Sequence, residues 1–203
     1  MIPSFFRHGS NAILAVAIAA AAAAFAIGAV PFSLVGALIG AAVFFVSEYT
    51  THRFLFHAQP SKIPFVLKLQ HKLHYDHHID PPKIELLFLP WWFVIPTVLV
   101  YYGIFLAIVR DPAVALSLAF GSMCALFYYE WVHYVAHISF NPVTPFGRYV
   151  KKYHLWHHFK NEHYWFTVTS AGTADRILRT SPAPATVATS ATAKNLHGGR
   201  LPV

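Results

Sequence analysis

A chain of 203 residues has room for one compact domain. It is 56% hydrophobic and only 11% charged, against about 25% charged in a soluble domain, which excludes an ordinary soluble protein and points to the membrane. One cysteine, Cys124, excludes a disulfide framework or a cysteine metal knuckle, and a formal charge of +7 on so apolar a chain reports orientation and anionic lipid contact, with no nucleic-acid partner.

Four apolar stretches follow in chain order. Residues 11–30 are Ala-rich and uncharged, and 32–47 continue without charge after Pro31. Residues 86–109 form the third stretch and 113–129 the fourth. A spanning helix needs about 20 apolar residues. The first and third meet this; the second and fourth run on into 48–56 and 130–138 as helices that leave the bilayer. The expected spans are therefore about 11–30, 32–50, 86–109 and 113–131. The first is too long for a signal peptide and is followed at once by an equally apolar run, so it reads as a true span. Between spans 1 and 2 there is no Lys or Arg, and between spans 3 and 4 only Arg110; the remaining basic residues all lie on the side of the N-terminus, 48–85 and the chain after 129. That side is expected to be cytoplasmic. Residues 60–72 mix apolar residues with Lys62, Lys68 and Lys72 and read as an interfacial helix. Trp91, Trp92, Tyr101 and Tyr102 read as an aromatic belt or packing residues. From Ser181 the chain is rich in Ala, Thr, Pro and Ser, so 1–180 is taken as the domain and 181–203 as a disordered tail.

The fourteen histidines outnumber all eight Asp and Glu. Apart from His8 and His197, they fall in four clusters on the predicted cytoplasmic side: His52 and His57; His71, His74, His77 and His78; His133 and His137; His154, His157 and His158, with His163 just after. At about 100° per residue on a helix, His133 and His137 lie within about 40° of each other. His154, His157 and His158 cover about 100°, and His74, His77 and His78 repeat that pattern. His52 and His57 are about 140° apart on a regular helix, so either they flank a metal from two sides or the helix is distorted between them. Stripes of neutral imidazole suit iron, zinc, copper or nickel. The count is too high for one ion and fits two, each taking four or five imidazoles. Glu48, four residues before His52, and Glu130, three before His133, stand where a carboxylate could orient a ligand ring. His8 and His197 read as ordinary polar residues, and neither His71 nor His163 is assigned as a ligand.

No H-E-x-x-H motif supports a zinc protease. A metal transporter would place its ligands within the spans; here they lie beyond the apolar cores, as a cap on one membrane face. Two redox metals there could use O2 on a lipid chain entering from the bilayer.

The strings EYTTHRFLFH (48–57), HYDHH (74–78), YEWVHYVAH (129–137) and KKYHLWHHFKN (151–161) resemble the membrane fatty acid hydroxylase superfamily, most closely the fatty acid 2-hydroxylases, from about Glu48 to Thr180. The resemblance implies a dimetal centre held by His52, His57, His74, His77, His78, His133, His137, His154, His157 and His158, with iron in the active enzyme and zinc able to occupy purified protein. It also implies that Tyr129 and Glu130 match a Tyr–acid pair near the substrate head, with Glu where the family has Asp. Eukaryotic members often carry a fused cytochrome b5 domain; none is present here, so a separate cytochrome b5-like or ferredoxin-like donor is implied. After the last box the chain reads Trp165-Phe166-Thr167-Val168-Thr169-Ser170, then Asp175 without the family's preceding Trp.

The expected protein is all-α: four transmembrane helices under a cytoplasmic helical cap carrying the dimetal site. Its expected activity is hydroxylation of a lipid acyl chain with O2 and two external electrons, at C2. The alternatives are a sterol or carotenoid hydroxylase or desaturase of the same superfamily, or a histidine-rich metal-binding or transport protein. The Ala-rich makeup and lack of an ER signal point to a bacterial inner membrane.

Overall fold

The computed structural model describes residues 2–170 and 172–198, and among these every regular element is helical. Helix α1 covers Ile2–Phe6, α2 Gly9–Ala26, α3 Leu34–Thr51, α4 Pro64–Gln70, α5 Asp76–Ile79, α6 Trp91–Val109, α7 Pro112–His137, α8 Pro145–Phe159 and α9 Thr173–Ile177. Four stretches are long and apolar enough to cross a membrane: Gly9–Ala26, Leu34–Phe56, Ile84–Val109 and Pro112–His137. The second and fourth run on past their apolar cores, as their lengths predict. The first stops at Ala26, short of the expected Val30, because Gly28 turns the chain through a left-handed conformation at φ 71°.

The chain divides into two compact units. The first comprises residues 1–46 and 89–130. Here α3 and α7 meet backbone to backbone. A Cβ on Gly40 would stand 1.8 Å from the Leu118 carbonyl oxygen, and one on Gly121 1.8 Å from that of Ala37. Small residues permit this approach, and Ser122 Oγ donates to Gly40 O at 2.8 Å across it. Beside the crossing, Phe105, Ala115, Leu118 and Ala119 form a buried cluster against which Tyr101 and Tyr102 pack. A methyl group at the crossing must force the helices apart. Gly40→Ala is therefore expected to cost about 2–3 kcal/mol, read as a lower melting temperature in detergent. Gly103→Ala, where an added Cβ meets nothing within 4 Å, is the control expected to be neutral or slightly stabilising. Equal melting of the two variants would refute the close crossing.

The second unit comprises residues 47–88 and 131–203. After the last residues of α3 the winding changes: residues His52–Phe56 form a π-helical turn, with His57 N–H donating to His52 O at 3.0 Å. A second π turn, His71–Tyr75, joins α4 to α5. Proline opens both α4 and α8, at a position where no intrahelical N–H is needed. Thr144 caps α8 by accepting from Gly147 N–H at 3.1 Å. Lys151 has its ammonium turned onto the end of α7 and the loop beyond, donating to the carbonyls of Val135 (3.1 Å), Ile138 (2.5 Å) and Phe140 (2.8 Å). That is the favourable placement for a cation at a helix C-terminus.

Beyond the expected domain end at 180, the described chain continues to 198. The segment makes 3-10 turns at Pro184–Thr186 and Leu196–Gly198. Leu196, 1% exposed, packs with Leu67 and Tyr75. The segment builds no core of its own. It needs one apolar anchor, and it supplies backbone and hydroxyl groups to polar atoms already buried in the unit. The expected tail residues beyond 198 lie outside the described residues.

Candidate metal centre

The four histidine clusters come from four backbone pieces of the second unit: the π turn after α3, the second π turn with α5, the end of α7, and α8. The fold sorts them into two groups of five. His52, His57, His74, His78 and His157 form the first, and His77, His133, His137, His154 and His158 the second. Within each group the candidate ligand atoms all lie within 4.8 Å of one another. The division cuts across the sequence clusters: His77 leaves its neighbours His74 and His78, and His157 leaves His154 and His158. Adjacent residues on a helix point about 100° apart, so one stripe can serve two centres.

The nitrogen spacing tests whether a metal fits. In the first group Nε2 of His74 is 3.1 Å from that of His52 and 2.9 Å from that of His57, and Nε2 of His157 is 3.0 Å from that of His57. In the second, His77 lies 3.1 Å from His158 and 3.2 Å from His133, and His137 lies 2.9 Å from His154, all Nε2 to Nε2. Two imidazoles bound at about 2.1 Å and at right angles to each other have nitrogens about 3.0 Å apart; tetrahedral ligands stand about 3.4 Å apart. The spacing suits a higher coordination number than a structural zinc site.

Tautomers point the same way. His52 Nδ1–H donates to Phe166 O at 2.5 Å, His157 Nδ1–H to Tyr164 O at 2.7 Å, and His78 Nδ1–H to Ala193 O at 2.9 Å. A carbonyl only accepts, so each of these rings carries its proton on the outer nitrogen and turns a bare Nε2 inward. The buried Nε2 of His78 has no hydrogen-bond partner among the described residues, the condition a metal would relieve. Burial above all, then the neighbouring rings, hold His57, His74, His77, His154, His157 and His158 well below the usual imidazole range. Burial pushes His78 down to about 3. The rings are therefore neutral, as metal ligands must be.

The carboxylates do not act where spacing suggested. Glu48 touches no histidine ring; it accepts from the N–H groups of Val168 (2.5 Å) and Thr169 (3.1 Å) and from the Thr169 hydroxyl. Glu130 accepts from Leu89 N–H at 3.3 Å. Backbone carbonyls take the outer ring N–H groups of His52, His157 and His78 instead. The carboxylates work one step further out: Asp175, fully buried, accepts from Phe166 N–H (2.9 Å), Thr167 N–H (2.8 Å), Thr167 Oγ1 (2.6 Å) and Thr180 Oγ1 (2.7 Å). Asp175 and Glu48 thus hold four successive N–H groups, 166 to 169, and fix the loop whose Phe166 carbonyl orients His52. Trp165, in the left-handed region at φ 58° and fully buried, starts that loop. Asp175 was visible in the sequence only as a departure from the family pattern, and a carbonyl that orients a ring leaves no mark on residue type.

The remaining histidines lie outside both groups. His71 is paired through Nδ1 with Asp76 at 2.7 Å. His163 is exposed, 3.6 Å from Glu162. His8 meets Ser10 at 2.5 Å, and His197 meets the His57 carbonyl at 3.0 Å.

The sequence model of the fatty acid hydroxylase family matches residues 37–180. The chain belongs to the fatty acid hydroxylase family. Among its relatives in that family is a dihydroceramide fatty acyl 2-hydroxylase of Arabidopsis thaliana, 34% identical over 66% of this chain and 55% of the relative. A ceramide very long chain fatty acid hydroxylase of Saccharomyces cerevisiae is 37% identical over 65% of this chain and 34% of its own length. The human fatty acid 2-hydroxylase is 28% identical over 70% and 39%. The chain thus spans about half or less of these relatives. A solved structure of full-length scs7p, in which only the hydroxylase domain is visible, superposes with a TM-score of 0.74 at 26% identity, covering 88% of this chain and 67% of that one. With four apolar helices and membrane-enzyme relatives, the protein is a multi-pass membrane protein, and its buried histidine groups are suited to metal.

Proposed function

We propose that the chain is a membrane-bound hydroxylase that places a hydroxyl group at C2 of a lipid acyl chain. The observation that carries this reading is the pair of five-imidazole groups, each with converging ligand atoms, in a chain of the fatty acid hydroxylase family. The names of the relatives, fatty acid and dihydroceramide fatty acyl 2-hydroxylases, support the choice of C2. The ten grouped histidines are the ligands, five to each of two iron ions, with zinc able to take their place in purified protein. Iron in such sites supplies the activation of O2: one oxygen atom enters a C–H bond, and the other leaves as water with two protons and two electrons. The electrons come from a separate cytochrome b5-like or ferredoxin-like donor.

The chain's own residues bind, orient and exclude water. Nine of the ten rings are buried and His137 is partly so, which limits the water that can reach a bound metal. The Phe166, Tyr164 and Ala193 carbonyls hold three ring tautomers. Glu130 is 1% exposed, and its Oε2 has no hydrogen-bond partner among the described residues. It and Tyr129 are assigned to the polar head of the substrate. Residues 1–180 are read as the hydroxylase domain. The bias of Lys and Arg puts the site on the cytoplasmic side, and the Ala-rich first span fits a bacterial inner membrane.

Lipid mass spectrometry of cells expressing the chain tests this. Acyl chains are expected to gain the mass of one oxygen atom, with fragmentation placing it at C2. A loss of two hydrogens instead would make the protein a desaturase, and unchanged lipids with altered metal uptake would make it a transporter.

A further inference from the structure

The segment after residue 182 lies outside the matched family region, which ends at 180, yet it reaches the metal centre. Just before it, the Pro182 carbonyl accepts from the Trp165 indole N–H at 3.2 Å. Ala188 O then accepts from Asn161 Nδ2 at 3.3 Å, and Ser190 N–H donates to Lys160 O at 2.7 Å. The hydroxyls of Ser190 (3.0 Å) and Thr192 (2.6 Å) both donate to Oε1 of Glu162, a carboxylate with no exposure to solvent. Three residues after Ala193, Leu196 is seated with Leu67 and Tyr75. These anchors bracket Ala193, whose carbonyl accepts the His78 ring N–H at 2.9 Å, and His197 follows at 3.0 Å from the carbonyl of His57. The two histidines so bonded, one through its ring and one through its backbone, both belong to the first group.

We infer that residues 183–197 are a strap that positions His78, and with it the first histidine group, for metal binding, while the second group is held without it. The inference rests on the two-metal reading above. The strap is not a source of ligands. It acts through the Ala193 carbonyl, which fixes the ring plane and keeps the proton on the outer nitrogen, and the Glu162 and Leu196 anchors hold that carbonyl in place. Losing such an outer contact lowers metal affinity by about 10- to 100-fold, and here the loss should fall on one of the two metals.

The test uses zinc, which is redox-silent, so that occupancy is read apart from activity. The full chain and a chain ending after Pro182, which keeps the Trp165 contact, are purified in detergent and loaded with zinc. Both are then titrated with a chelator, and zinc per protein is measured by mass spectrometry. The full chain is expected to release both ions late, and the shortened chain to release one ion at about 10- to 100-fold lower chelator concentration and the other as the full chain does. Should the shortened chain not fold, the double variant Ser190→Ala/Thr192→Val reports the same split, and Thr192→Ser, which keeps a hydroxyl for Glu162, should restore the full-chain curve. Release indistinguishable from the full chain, or parallel weakening of both ions, overturns the strap. A full chain that binds no zinc and no iron overturns the metal reading and the strap with it; a full chain that binds both ions leaves the shortened chain to decide the strap alone.

Discussion

If the protein is the two-metal hydroxylase proposed above, replacing His157 with alanine is expected to abolish hydroxylated product and to cost one of the two metals. His157 is fully buried on α8, where its Nε2 stands 3.0 Å from that of His57 and its Nδ1–H is held by Tyr164 O at 2.7 Å. Alanine removes a candidate ligand nitrogen from the first group and leaves the Tyr164 carbonyl without its donor. Loss of an outer contact alone costs about 10- to 100-fold in metal affinity or activity, so loss of the ring itself should lower product by more than about 100-fold. His163→Ala is the companion variant. Its side chain is 52% exposed and belongs to neither group, and it should keep product and metal. Metal content and lipid product measured together decide the matter. Full metal and full product in His157→Ala would sink the two-centre assignment.

The second large effect is expected at Asp175, which no sequence argument placed at the site. Its two oxygens accept from four donors, two of them backbone N–H groups of the loop that carries the Phe166 carbonyl. Asp175→Ala leaves those donors buried without an acceptor, at about 1–3 kcal/mol for each unsatisfied group before relaxation. A net destabilisation of about 3–5 kcal/mol is expected. Asp175→Asn keeps the shape but turns an amide NH2 toward groups that also donate, so it should fall between the parent and the alanine variant. Metal loss should accompany both, because the loop can no longer hold His52. Thermal unfolding in detergent and metal content provide the readout. An alanine variant that melts with the parent and keeps both metals would show that the loop needs no such clamp.

These two sites mark what the chain discloses before it folds. The ten histidines named from spacing and family resemblance are the same ten the fold gathers into two groups, because histidine stripes are periodic and imidazole is a distinctive side chain. The four apolar helices were legible for a similar reason: length and hydropathy follow from the bilayer. The allocation of rings to two groups was not legible, since it depends on how α5, α7 and α8 rotate against one another. Nor were the roles of Glu48, which bonds to backbone N–H groups 120 and 121 residues away, and of Asp175, which bonds to those of its own loop eight and nine residues before it. The contacts of 181–198 were not legible either, since a composition too polar for a core says nothing of a core that other residues supply.

The π turn at 52–57 has one more consequence. In that winding a residue bonds to the fifth before it, so His52 and His57 come round to one side, as His133 and His137 do four apart on the α-helix of α7. The number of residues between two ligands and the pitch of the backbone are therefore a single variable. An α-helix with a three-residue gap and a π turn with a four-residue gap deliver the same pair of nitrogens. A motif defined by a fixed count of intervening residues treats them as different sites; a metal ion would not.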